Sequence, residues 1–96
     1  MKAKILLADD DAGLRRVIQY KLQQGGHDVV AVADGQSALG LVRSQDFDVL
    51  ITDLKMPGLN GIELLEKVRA LRPTLEVILI TAFAEVSAAV RAIKLG

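Results

Sequence analysis

Three short apolar runs in this sequence each end in residues that can do chemistry. Ile5-Leu6-Leu7-Ala8 runs into Asp9, Asp10 and Asp11. Val49-Leu50-Ile51 ends in Thr52 and Asp53, and the turn residues Met56-Pro57-Gly58 follow at once. Val77-Ile78-Leu79-Ile80 ends in Thr81. If these tips meet, the acids repel, by about 4 kcal/mol per close pair at ~4 Å and an effective dielectric of ~20. Such a cluster takes up either protons or a cation. A few carboxylates, with room left for water and phosphate, describe a Mg2+ site. A divalent metal, a carboxylate nucleophile and a hydroxyl that can hydrogen-bond a transferred group together suit phosphoryl transfer onto an aspartate.

The elements that must position these residues are legible in the periodicity. Lys4 to Ala8 reads as a first strand. Leu14, Val17, Ile18 and Leu22 follow at helical spacing as a core-facing stripe, with Arg15, Arg16, Gln19 and Gln23 on the opposite face. One acid of the Asp triplet caps that helix, with Asp11 at the cap or rim, and Gly25-Gly26 stops it. Asp28 to Val32 reads as a second strand. Asp34-Gly35 opens a second helix with Ala38, Leu39, Leu41 and Val42 inward. Asp48 to Thr52 is a third strand. Asn60-Gly61 begins a third helix carrying Ile62, Leu64, Leu65 and Val68, and Pro73 cannot continue it. Glu76 to Thr81 is a fourth strand, and Val86, Ala89, Val90 and Ile93 mark a fourth helix.

Strand–helix pairs alternating with short loops predict an α/β fold with a doubly wound parallel sheet. Open sheets of this kind bind ligands at the carboxyl ends of their strands. With strands one, three and four side by side, the acids and Thr81 converge there.

Bulk composition narrows the function classes. The 96 residues suffice for one domain, 1–96. Apolar residues make up 51% and charged residues 25%, with formal net charge zero, so nothing favours nucleic-acid or membrane binding by this segment. Cysteine is absent, which excludes disulfides and thiolate metal sites. The amino end is too short in apolar residues for a signal sequence, and a cytoplasmic protein is the default expectation. Aromatics are limited to Tyr20, Phe47 and Phe83, which argues against a stacking platform. His27, the lone histidine, sits in a polar turn and is assigned no chemistry.

The segments Ile5-Leu6-Leu7-Ala8-Asp9-Asp10-Asp11, Leu50 to Gly61 and Ile80-Thr81-Ala82 resemble the receiver domain of bacterial two-component response regulators. The three motifs match in order and spacing across the chain. The resemblance implies a flavodoxin-like receiver fold with strand order 2-1-3-4. It implies that Asp53 is the phosphoacceptor, taking a phosphoryl group from a sensor histidine kinase or a small acyl phosphate. Asp9 and Asp10 form the acidic pocket for magnesium (Mg2+), Asp10 more directly and Asp9 mainly through water. Asp53 and the backbone carbonyl of Lys55 complete the metal's protein ligands, the Lys55 side chain being expected to point to solvent. Thr81 is the switch hydroxyl, and the small Ala82 leaves the pocket open. The run from Thr81 to Val90 is most similar to receivers attached to enhancer-binding transcriptional activators.

Receivers normally continue through a fifth strand and helix, and the family's lysine on that strand has no counterpart here. The sequence therefore reads as a receiver truncated before its fifth strand, with two expected consequences. Phosphorylation would be impaired, and the fourth strand would form an exposed edge for homo-oligomer association. The reading is of a signalling phosphoacceptor rather than an enzyme. The alternatives are a phosphorylation-impaired association module and a haloacid-dehalogenase-type phosphatase. The acid-x-acid at Asp9 to Asp11 suits the latter, but Ala12-Gly13 lack the Thr or Val that family expects. No Gly-rich loop follows the first strand to support nucleotide binding.

Overall fold

Continuous apolar runs form the strands of a parallel sheet in the computed structural model, which describes residues 2–80; residues 5–8 and 50–52 are buried, whereas Ile78 of the run 77–80 is 48% exposed. The order is β1 (Lys4–Ala8), α1 (Ala12–Gln24), β2 (Asp28–Val32), α2 (Gly35–Ser44), β3 (Val49–Asp53), α3 (Gly61–Leu71) and β4 (Glu76–Ile80). The four strands form one parallel sheet in the order β2-β1-β3-β4, as the resemblance implies. The expected fourth helix, Thr81 and Ala82 lie outside the described residues.

Strand alternation divides the core into two layers. Leu6, Ala8 and Leu50 pack against Ala38, Leu39 and Val42 of α2 and Leu64 and Val68 of α3. Ile5, Leu7 and Ile51 point the other way and meet Ile18 and Leu22 of α1. Leu6, Leu7, Leu50, Leu64 and Val68 are fully buried. Each such side chain contributes roughly 1.5–3 kcal/mol of transfer free energy.

The α1 stripe departs from expectation. Ile18 and Leu22 reach the sheet, but Leu14 is 38% and Val17 52% exposed, and no residue of α1 is buried. Among the described residues α1 is the one helix on its face, so it covers the sheet along a single edge. The third strand is also displaced by one residue relative to the sequence reading. Asp48 stays in the preceding turn, where its carboxylate accepts a hydrogen bond from the Lys4 N–H at 2.8 Å. Asp53 joins the strand and pairs with Ile80.

All three helices begin at the carboxyl edge of the sheet, each with an acidic or amide cap. Asp11 accepts from the Leu14 N–H, Asp34 from Ser37 and Asn60 from Glu63. At α3 the Glu63 side chain also accepts from the Asn60 N–H, completing a capping box. His27 is structural, its Nδ1 accepting from the Ala3 N–H at 2.9 Å.

Candidate functional site

β1 and β3 are adjacent and in register, Ala8 beside Thr52, so their next residues emerge side by side. This brings Asp9 and Asp10 to Asp53. One carboxylate oxygen from each of the three lies within 4.8 Å of the others. Their environments differ. Asp9 is fully buried, Asp10 is exposed and Asp53 is half-buried.

Asp9 is held by the backbone. Its N–H donates to the Val32 carbonyl at 3.1 Å, and its Oδ1 accepts from the Asp11 N–H at 2.9 Å. The other oxygen, Oδ2, is buried with no hydrogen-bond partner among the described residues. Loss of hydration is the main cause that raises the Asp9 pKa above 3.8; the Asp11 N–H opposes it, and the charges of Asp53, Asp10 and Asp11 add to it. A buried carboxylate oxygen without a donor beside two further acids is costly unless a positive charge meets it. An all-oxygen donor set of this kind suits a hard divalent cation, so the residues fit such an ion.

The loop after Asp53 is fixed by the core. Leu54, Met56 and Leu59 are buried, while Lys55, Pro57 and Gly58 face out. Gly58 takes φ +74°, the left-handed region that suits glycine. Lys55 N–H lies 3.4 Å from Asp53 Oδ1. Together with Asp10, Met56, Pro57 and Asn60, Lys55 lines an open cleft of about 550 Å³ beside the acids. Gly61 closes the loop onto β3: a Cβ there would sit 2.4 Å from the Asp53 carbonyl oxygen and 3.0 Å from Leu54 Cα. The start of α3 thus rests directly on the Asp53 backbone.

The structure gathers Asp9, Asp10, Asp53 and Lys55 at one edge; Thr81 and Ala82 lie outside the described residues. Two features escaped the sequence reading. Arg15, assigned to the outer face of α1, is half-buried, and its Nη1 donates to the Asp9 carbonyl at 2.7 Å. Its position four residues after the cap, on the first turns of a helix that starts at the acids, was the available signal. Thr52 is fully buried, its hydroxyl donating to the Asp53 carbonyl at 3.0 Å. Nothing in its strand pattern marked it.

The model of the response regulator receiver domain matches residues 5–96. The chain belongs to the response regulator receiver family. It is similar to the response regulator protein FleR of Pseudomonas aeruginosa, 41% identical over all of this chain and 20% of FleR. It is 36% identical to the transcriptional regulatory protein ZraR of Salmonella typhimurium, over 99% of this chain and 22% of ZraR. Among solved structures, the response regulator TrrA of Thermotoga maritima, described in complex with Mg2+-BeF, superposes with TM-score 0.86 at 30% identity. That match covers 96% of this chain and 81% of TrrA. The receiver spans about a fifth of the length of FleR and ZraR. No helix among its described residues is long and apolar enough to cross a membrane.

Proposed function

We propose that this receiver is a signalling phosphoacceptor. Asp53 takes a phosphoryl group from a sensor histidine kinase, in the cytoplasm, and the phosphorylated form controls an attached transcriptional output domain. The observation that carries this reading is the joining of Asp9, Asp10 and Asp53, with one buried Asp9 oxygen left without a partner among the described residues. FleR and ZraR are named as a response regulator and a transcriptional regulator, which supports the output.

Asp9 and Asp10, with the Asp53 carboxylate and the Lys55 carbonyl, would hold Mg2+. When bound, the ion neutralises charge on the transferred oxygens and fixes their direction. Asp53 acts as the nucleophile from the tip of β3. The donor's phosphorus–nitrogen bond breaks with its electron pair left on the imidazole. A phosphorus–oxygen bond forms at an Asp53 carboxylate oxygen. Gly61 and the buried Leu54 and Met56 keep the Asp53 backbone still during this exchange. The open cleft beside Asp10 gives the donor access.

Phosphorylation replaces one carboxylate charge with roughly two and adds three strong acceptors. A hydrogen bond from Thr81 to that group exists in the modified state alone. It therefore shifts the equilibrium between two states by its differential energy and no more. The test is intact-mass measurement after incubation with Mg2+ and a small acyl phosphate. The wild-type chain is expected to gain the mass of one phosphoryl group, and Asp53→Asn to gain none. A gain that survives Asp53→Asn, or no gain in the wild type at any donor concentration, rejects the reading.

A further inference from the structure

The β1–α1 loop closes on itself through hydrogen bonds. The Asp11 N–H donates to Asp9 Oδ1 at 2.9 Å. The Arg15 N–H donates to the Asp11 carbonyl at 2.8 Å, as the first turn of α1. The Arg15 guanidinium then turns back, and Nη1 donates to the Asp9 carbonyl at 2.7 Å. The circuit runs from Asp9 to Asp11, to Arg15 and back to Asp9. Its neighbour Arg16 is exposed, whereas Arg15 is half-buried. A long cationic side chain loses rotamer freedom when it is held in this way, so the contact must return energy to persist. Guanidinium–carbonyl bonds are charge-assisted and among the stronger hydrogen bonds.

The circuit constrains both ends of Asp9. The carbonyl is bound to Arg15 and the N–H to Val32, while Oδ1 is bound to the Asp11 N–H. Oδ2 is the remaining polar atom, and it has no partner among the described residues. We infer that Arg15 is a positioning residue for the acidic pocket. It fixes the Asp9 backbone, and so keeps the Asp9 carboxylate in the cluster with one oxygen free for the cation. This inference rests on the phosphoacceptor reading, because it assigns a role toward the Mg2+ of that site. Outer-shell partners act in this way on metal ligands, by orienting them before the metal arrives.

The test is calorimetric titration of Mg2+ into the wild-type chain and into Arg15→Met, Arg15→Lys and Arg16→Met. Urea unfolding of each without metal runs in parallel. Arg15→Met is expected to weaken Mg2+ binding by about 10-fold or more, the usual effect of losing an outer-shell partner. Arg15→Lys should fall between Arg15→Met and wild type, since an ammonium offers one donor toward the carbonyl without the planar fork. Arg16→Met, which removes the same charge from the exposed neighbour, should bind as the wild type does. A folded Arg15→Met with wild-type Mg2+ affinity overturns the inference. So do equal changes in Arg15→Met and Arg16→Met, because the contact between Arg15 and the Asp9 carbonyl would then make no difference. Should Arg15→Met fail to fold, the lysine variant decides: wild-type affinity there also overturns the inference. Absence of Mg2+ binding by the wild-type chain overturns the phosphoacceptor reading and this inference together. Wild-type binding that survives Arg15→Met overturns this inference alone.

Discussion

Replacing Asp9 by Asn keeps the shape of the side chain and removes its charge. Without metal this should stabilise the protein. The three carboxylates lie within 4.8 Å of one another. A charge pair at that separation repels by about 3.5 kcal/mol at an effective dielectric of ~20 and by about 1 kcal/mol in water. Asp10 is exposed and Asp53 half-buried, so solvent screens both and the gain lies toward the lower figure for each pair. Asn also keeps an oxygen for the Asp11 N–H and places an amide donor where Oδ2 has no partner among the described residues. The expected gain is about 1–3 kcal/mol at neutral pH, read from urea unfolding in a chelator.

The pH dependence separates this cause from a general one. Burial and neighbouring charge raise the Asp9 pKa above 3.8 in the folded protein. The folded state therefore holds this proton more tightly than the unfolded chain does. The associated stability is fully present below the ordinary carboxylate value and is lost as pH rises through the raised folded value. The advantage of Asp9→Asn should thus be small at acid pH and grow over that window. Mg2+ should stabilise the wild type and stabilise Asp9→Asn less. Equal unfolding midpoints for the two proteins at neutral pH, or an advantage that does not change with pH, would refute the reasoning.

Other perturbations act through packing. Gly61→Ala would drive a Cβ into the Asp53 carbonyl, and since backbone must move, a loss of about 1–3 kcal/mol is expected in urea unfolding. Because the displaced atom belongs to Asp53, acyl-phosphate labelling should slow as well. Leu64→Ala empties a fully buried site between α3 and the sheet and should cost about 2–5 kcal/mol. Val17→Ala, on the exposed side of α1, should change stability by no more than about 0.5 kcal/mol, and a larger loss would show that this face is covered.

The fold was legible because its signals are local. The runs at 5–8 and 49–51 are apolar without alternation, the pattern of strands in a sheet covered on both faces. Asp11, Asp34 and Asn60 each stand one residue before a helix and cap it as their types predict. The acids of the site were legible because each follows closely on an apolar run, although the third strand runs one residue further than its sequence indicated, to Asp53. The Arg15 contact was not. An arginine on an amphipathic helix reads as solvated, and its long side chain can reach back six residues to a carbonyl without any mark in the periodicity. The exposed stripe of α1 misled in the opposite direction. Leu14 and Val17 have core-like spacing, yet spacing reports which face is apolar and not whether a neighbour covers it.

The acidic cluster and the two-layered core depend on each other. Three like charges within 4.8 Å oppose folding, and no bond among the described residues satisfies Asp9 Oδ2. The arrangement persists because β1 and β3 are held in register by side chains that have nothing to do with the acids. Leu6 and Leu50 lie in one layer, and Leu7 and Ile51 in the other. Moving β3 by one residue against β1 would turn its buried residues toward the opposite face and lose both layers at once. The repulsion therefore cannot relax by sliding the strands. It can relax through a proton, through a cation, or through movement of the side chains at the tips. The sheet thus leaves the charge problem to the site, where an arriving cation offsets the repulsion and a phosphoryl group would add to it.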